Sequence, residues 1–202
     1  MTWTGGILFA LFWLAAALAI LWEWIRMSAA RPLWIAGGVI YAGSFLAAML
    51  LLRGDPSLGL TVVIWLFALI WAADIAAYFA GRALGGPKLW PAVSPNKTWS
   101  GAIGGLVGGL SAGIAVVLLA GLTLRPVHLL VMLVVVIAAQ LGDLLESAIK
   151  RRFGVKDSGQ LIPGHGGVMD RCDSLVTAAT TALGIGLVRA GMNAPAQGLL
   201  LW

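Results

Sequence analysis

The sequence predicts an all-α polytopic membrane protein, and three properties lead to that class. Sixty per cent of the 202 residues are hydrophobic, only 10% are charged, and the mean hydropathy is +0.97. The apolar residues form continuous runs of about 20, the length of a helix that crosses a bilayer. A membrane barrel would instead show short alternating segments. Because a helix satisfies its own backbone groups in lipid, we predict one membrane-embedded domain over residues 1–202.

About six runs are long enough to span a membrane. We place them at residues 5–25, 33–52, 59–80, 101–124, 127–149 and 173–192. Pro-containing turns at Arg31-Pro32, Gly54-Asp55-Pro56 and Arg125-Pro126 separate several of them. Two long polar loops follow the third and fifth segments. The first run lacks a basic leader, so we expect no cleavable signal there.

The distribution of Lys and Arg predicts an orientation. The side that holds the two polar loops carries ten of the thirteen basic residues: Arg26, Arg31, Arg82, Lys88, Lys97, Lys150, Arg151, Arg152, Lys156 and Arg171. The other side carries Arg53, Arg125 and Arg189. By the positive-inside rule both loops are cytoplasmic. We therefore expect a multi-pass protein of the inner (plasma) membrane whose active site faces the cytoplasm. Orientation and phosphate binding explain the net charge of +5 without a nucleic-acid partner.

Glycines recur every four residues along the fourth segment, at Gly101, Gly105, Gly109 and Gly113. Such a ridge lets another helix approach closely. Packing against a helix of the same subunit is the favoured interpretation. Packing against a second copy, in a homodimer, is the alternative.

The fifth segment carries a polar face. Gln140, Asp143, Ser147 and Lys150 recur at three- and four-residue steps, with Glu146 beside them. Ionised carboxylates are costly inside a bilayer, so this face should line a polar cavity. A buried polar network that only joins helices is the alternative. In the first segment, Glu23 either reaches the cavity or lies at the membrane interface.

Two more carboxylates, Asp170 and Asp173, begin the sixth segment. Together with Asp143 they could gather oxygen ligands around Mg²⁺, an ion that favours carboxylates and substrate phosphates. A second cation could share the site. Alternatively, these carboxylates cap a helix N-terminus. Arg171 could bind phosphate or stabilise the carboxylates.

The loop before Asp170 combines basic residues with a glycine-rich turn. Lys150, Arg151 and Lys156 either bind phosphate or anchor the protein at the cytoplasmic surface. The turn from Gly164 to Gly167 can bring backbone N–H groups close to a phosphate. His165 is a candidate base, phosphate donor or structural residue.

These residues resemble the signature of the phosphatidate cytidylyltransferases, also called CDP-diglyceride synthetases. The downstream pattern falls on Ser147, Lys150-Arg151, Lys156-Asp157, His165-Gly166-Gly167, Asp170-Arg171 and Asp173. The upstream pattern falls on Asp74, Tyr78, Gly81-Arg82 and Ser94-Pro95-Asn96-Lys97-Thr98. The resemblance covers residues 70–175. It departs from the family at Ser100, where an acidic residue is expected after Trp99.

The resemblance implies transfer of a cytidylyl group from CTP to phosphatidic acid, with Mg²⁺, in phospholipid biosynthesis. Four residues then have catalytic roles: Asp143, Lys150, Asp170 and Asp173, of which the three Asp residues hold metal. Eleven bind substrate: Asp74, Ser94, Lys97, Thr98, Ser147, Arg151, Lys156, His165, Gly166, Gly167 and Arg171. One alternative function is a CTP-dependent lipid kinase. Another is an ion-coupled transporter, although no inverted repeat is visible.

Overall fold

The computed structural model describes residues 6–164 and 166–202, and the described chain is mainly helical. Its helices are α1 Gly6–Met27, α2 Pro32–Gly54, α3 Gly59–Leu84, α4 Trp99–Leu119, α5 Pro126–Arg152, α6 Met169–Ala190 and α7 Pro195–Leu200. Its strands are β1 Lys88–Trp90 and β2 Ser94–Thr98. The predicted all-α polytopic class is confirmed.

Five helices, α1 to α5, are long and apolar enough to cross a membrane. The sixth predicted segment forms α6, whose 22 residues would also suffice in length. Three charged residues in its first turns, Asp170, Arg171 and Asp173, lower its apolar content. α6 packs against α5, α2 and α7. The charged first turns of α6 therefore lie at the end of the helix bundle, beside α5.

The polar loop after α3 is more ordered than the sequence predicted. α3 continues to Leu84, and residues 88–98 then form an antiparallel hairpin with Lys88 opposite Thr98 and Trp90 opposite Ser94. Strands of three and five residues are too short to show a period in sequence. Thr98 ends the hairpin and caps α4, because its Oγ1 accepts the Gly101 N–H at 3.1 Å.

A short C-terminal helix, α7, was not predicted. His128 is almost fully buried, and its Nε2 lies 3.1 Å from the Leu200 carbonyl oxygen. Its Nδ1 accepts the Arg125 N–H at 2.9 Å, which makes Nε2 the donor. His128 therefore joins the start of α5 to the end of α7.

The glycine ridge of α4 packs on α3 of the same chain, as the favoured interpretation predicted. The four ridge glycines are buried, and neighbouring glycines also meet α3. A Cβ at Gly108 would lie 2.4 Å from the Ala76 Cβ and 2.8 Å from the Ala72 carbonyl oxygen. Since α3 occupies this face, the ridge does not support the alternative of a homodimer contact.

The carboxylate of Asp55 holds the turn between α2 and α3. It accepts hydrogen bonds from the Ser57 N–H at 3.0 Å, the Ser57 hydroxyl at 2.9 Å and the Leu58 N–H at 3.1 Å. The Gln197 N–H of α7 donates to it at 3.2 Å. Burial raises the pKa of Asp55, but these hydrogen bonds outweigh burial and leave the pKa below its ordinary value.

Gly108→Ala should destabilise the protein, because the added methyl group overlaps α3. Overpacking of this kind costs about 1–3 kcal/mol of unfolding free energy. The matched control is Gly43→Ala, since a Cβ at that exposed helical position meets nothing within 4 Å. Thermal unfolding in detergent would compare both with the parent protein. Equal unfolding temperatures for the two variants would contradict the close packing.

Asp55→Asn should remove a pH-dependent part of the stability. The folded pKa of Asp55 lies below its unfolded value of about 3.9, so the carboxylate contributes stability above that pH. This contribution is lost as pH falls through the folded pKa. Unfolding temperatures measured from pH 7 to pH 3 should therefore decline less steeply in Asp55→Asn. Asp157→Asn, at an exposed position, is the control; identical slopes in all three proteins would contradict the role.

Candidate active site

An ion pair joins the upstream and downstream groups of candidate residues, which are far apart in the sequence. The Lys97 ammonium, on strand β2, contacts Oδ2 of Asp143, on α5. Both side chains are 29% exposed, so they lie at the edge of the packed interior. Asp74 of α3 lies within electrostatic range of Lys97, Asp143 and Asp173. The hairpin, α3, α5 and α6 thus meet at one place.

The polar face of α5 exists as predicted, and each of its members reaches a different neighbour. Gln140 donates to the Ala102 carbonyl oxygen of α4 at 3.1 Å. Ser147 donates to Oδ1 of Asp143 at 3.5 Å, and Lys150 reaches α6. The face therefore joins helices, as the alternative interpretation required, and also presents Asp143 to the hairpin.

Lys150 is buried between two carboxylates. Its ammonium lies 2.7 Å from Oδ1 of Asp170 and 3.0 Å from Oε2 of Glu146. Glu146 is 1% exposed, and its Oε1 has no hydrogen-bond partner in the part of the chain that the structure describes. Its Oε2 faces the Lys150 ammonium as an ion pair without a well-directed hydrogen bond. The sequence placed Glu146 beside the polar face but gave it no role.

Asp170 organises the loop that precedes α6. The Ser158 N–H donates to its Oδ2 at 2.9 Å, and the Gly167 N–H donates to the same oxygen at 2.8 Å. With Lys150 on Oδ1, both carboxylate oxygens are engaged. Asp170 lies in the first turn of α6, but the N–H groups that it accepts belong to the preceding loop, so it holds that loop and does not cap the helix. Asp173 is half-buried, and its Oδ1 accepts the Ser174 N–H at 2.6 Å.

The predicted metal ligands do not form a complete cage. Over residues 6–164 and 166–202, no three Asp, Glu, His or Cys side chains gather closely enough to hold a metal ion by themselves. Mg²⁺ is usually bound through one or two carboxylates, water and substrate phosphates, so a complete cage is not required. The metal roles of Asp143, Asp170 and Asp173 stay predictions.

The remaining upstream residues lie around the hairpin. Ser94 is half-buried in β2. The Thr98 hydroxyl is engaged by Gly101 and Ser100. Ser100, where an acidic residue was expected, donates to the Gly85 carbonyl oxygen and closes the base of the hairpin. Ser100 therefore has a structural partner, and Thr98 acts as a helix cap before any ligand binds.

The loop residues that were predicted to bind substrate divide into two groups. Lys156 is exposed and lines a pocket of about 470 Å³ between the end of α1 and residues 155–160. Arg151 donates to the Val155 carbonyl oxygen at 3.0 Å, and Arg171 is exposed. The substrate roles of these side chains stay predictions.

The glycine turn is only partly covered by the structure. Gly166 has a φ of 86°, which favours glycine, and its carbonyl oxygen accepts the Ile162 N–H at 3.0 Å. Gly167 is buried, with its N–H directed at Asp170. That N–H is therefore not available to a phosphate in this arrangement. His165 lies outside the described residues.

Glu23 of α1 is the main site residue that sequence reasoning left undecided. Its carboxylate is fully buried. It accepts the Met169 N–H at 2.8 Å, the Val168 N–H at 3.0 Å and the Ser158 hydroxyl at 3.2 Å. Glu23 therefore lies inside the protein, against the loop that precedes α6. The only signal in the sequence was an acidic residue inside an apolar helix.

This chain is similar to known cytidylyltransferases. The model of the cytidylyltransferase family matches residues 33–185. A phosphatidate cytidylyltransferase of Brucella suis biovar 1 (strain 1330) is 40% identical, over 96% of this chain and 90% of the relative. Another, from Bacillus subtilis (strain 168), is 42% identical over 68% of this chain and 51% of the relative. A third, from Haemophilus influenzae (strain ATCC 51907 / DSM 11121 / KW20 / Rd), is 49% identical over 66% and 50%.

The family match covers more than half of the chain and includes both groups of motif residues that the Lys97–Asp143 ion pair joins. The resemblance inferred from the motifs is confirmed, and this chain belongs to the cytidylyltransferase family.

Proposed function

We propose that this protein transfers the cytidylyl group of CTP to phosphatidic acid, giving CDP-diacylglycerol and pyrophosphate for phospholipid biosynthesis. The Lys97–Asp143 ion pair carries the proposal, because it unites two distant groups of phosphate-chemistry residues in one place. Relatives aligned along 96% of the chain bear the name of that activity. The apolar helices supply the bilayer environment in which the lipid substrate lies.

The reaction joins two anions. An oxygen of the lipid phosphate attacks the α-phosphorus of CTP, the bond from that phosphorus to the bridging oxygen breaks, and pyrophosphate leaves. Phosphoryl transfer of this kind depends mainly on positioning and charge neutralisation. No covalent enzyme intermediate is needed.

Two lysines of the site supply positive charge in different ways. Lys97 is half-buried, and its ion pair with Asp143 lies at the edge of the site. Its ammonium can therefore exchange Asp143 for a phosphate oxygen. Lys150 is buried and held from two sides by Glu146 and Asp170. It is a fixed charge that orders the surrounding carboxylates. We assign nucleotide-phosphate binding to Lys97 and support of the site to Lys150.

The carboxylates fit Mg²⁺, because they offer hard oxygen donors and include a buried carboxylate oxygen of Glu146 without a hydrogen-bond partner among the described residues. Asp143 and Asp173 would hold the ion. Asp170 would have to release Lys150 or a loop N–H to join them. When bound, the ion would offset the charge of the substrate phosphates. A second cation stays a prediction.

We further propose that the site faces the cytoplasm from the inner membrane. One argument is the distribution of basic residues, ten on one side of the membrane and three on the other. The other is that Lys97, Lys150 and Lys156 lie at or beside the same site. A nucleotide substrate comes from the cytoplasmic side. A homodimer stays a prediction, and so does the single-domain description.

Labelled CTP should separate this reaction from a lipid kinase. With magnesium and phosphatidic acid, label from the α-phosphate should enter the lipid, and pyrophosphate should be released. The reason is that the nucleotidyl group, not the γ-phosphate, is transferred. Thin-layer chromatography of the lipid fraction measures the outcome. Lipid labelled from the γ position, with CDP released, would establish the kinase instead.

Asp143→Asn and Lys97→Gln should each lower turnover by roughly 100-fold, the loss typical of removing one electrostatic contact at a reacting phosphate or oxyanion. Asp143→Asn should also need more magnesium for half-maximal activity. Initial rates across a magnesium series give both quantities. Arg152→Gln is the control, because Arg152 is exposed and lies over the Trp34 ring, outside the matched motif. Near-normal rates for Asp143→Asn at limiting magnesium would remove Asp143 from the site.

A further inference from the structure

We propose that Glu23 is a positioning residue for this reaction, acting through the loop of residues 155–168. It fixes the conformation in which Lys156 meets the substrate phosphates. This inference rests on the proposed function. Glu23 lies on α1, ahead of the residues matched by the family model, which begin at 33.

The carboxylate of Glu23 gathers donors from both ends of the loop. Ser158, near its start, donates a hydroxyl at 3.2 Å, and Val168 and Met169, at its end, donate backbone N–H groups at 3.0 and 2.8 Å. Hydrogen bonds to an ionised acceptor are about twice as strong as neutral ones. The negative charge also complements the N-terminus of α6. The Glu23 carboxylate of α1 therefore holds the two ends of the loop together.

Two glycines of the loop lie directly against this carboxylate. A Cβ at Gly159 would lie 2.6 Å from Oε1 of Glu23, and a Cβ at Gly167 would lie 2.5 Å from Oε2. Neither residue has a backbone conformation that itself demands glycine. At Gly159 the approach of Glu23 explains the absence of a side chain, whereas at Gly167 a Cβ would meet the Ser158 hydroxyl as well as the Glu23 carboxylate. The loop and α1 fit each other at a contact that any added methyl group would disturb.

The contact continues from Glu23 into the reaction site. Ser158 gives its hydroxyl to Glu23 and its N–H to Asp170, and Asp170 binds Lys150. On its other side, Glu23 lines the pocket of about 470 Å³ whose opposite wall is formed by residues 155–160. Lys156 belongs to that wall. The position of the wall relative to α1 therefore depends on Glu23.

Glu23→Gln tests the role. The amide keeps the volume of the side chain but turns a donor toward the loop N–H groups, so the loop should lose its fixed position. The KM for CTP should rise at least about tenfold, since a displacement near 1 Å can cost more than that. A residue that only stabilises the fold would lower the active fraction, and hence kcat, without changing KM. An unchanged KM in a folded Glu23→Gln protein would overturn the proposal.

A double-mutant cycle provides a second measurement. Gly159→Ala should raise the KM for CTP in the parent protein, because its methyl group meets the Glu23 carboxylate. In the Glu23→Ala background the obstacle is gone, so the same substitution should change KM less than twofold. Equal effects in both backgrounds would overturn the proposal. Gly43→Ala is the control, because a Cβ at that position of α2 meets nothing within 4 Å.

The remaining outcomes are also decisive. If the Glu23 variants cannot be isolated folded, Gly159→Ala alone decides: a raised KM supports the role, and an unchanged KM overturns it. A parent protein that transfers no α-label overturns the proposed function and this role with it. An active parent whose variants all retain its KM overturns only the role of Glu23.

Discussion

The ammonium of Lys150, held between Glu146 and Asp170, is the contact on which the site depends. A charge in an apolar bundle is tolerated only when opposite charge and hydrogen bonds compensate for the lost water. Lys150 joins α5 to α6 and fixes one oxygen of Asp170, whose other oxygen collects loop N–H groups. Removing the lysine would leave two carboxylates buried side by side. The loop conformation and the packing of α5 on α6 therefore both depend on the ion pairs of Lys150.

The packing of α4 on α3 determines where Lys97 lies. Without side chains at Gly104, Gly105 and Gly108, the two backbones come into direct contact. The hairpin spans the short distance between these helices, and Thr98 ends it by capping α4. One residue earlier, Lys97 then reaches Asp143 of α5. The close packing of two largely apolar helices therefore positions a charged group of the site.

Much of this arrangement could be predicted from the sequence, and the exceptions have physical causes. Hydropathy located the apolar helices, and four-residue spacing identified the ridge of α4 and the face of α5, because both patterns repeat along one element. The partners of Glu23 could not be predicted, since they lie 135 to 146 residues away and periodicity carries no information on such pairings. The hairpin and α7 were missed because short elements show no period. Glu146 was noticed only as a neighbour of the polar face.

The separation between Glu23 and its donors has a consequence for biosynthesis. A chain emerges from the ribosome N-terminus first, so α1 is made long before residues 158–169 exist. During that interval its carboxylate has none of the three partners that bury it in the finished protein. Only the arrival of α6 completes both the burial of that charge and the shape of the loop. The candidate site is thus complete only after α6 has been made, and a shorter nascent chain holds Lys97 and Asp143 without the ordered loop beside them.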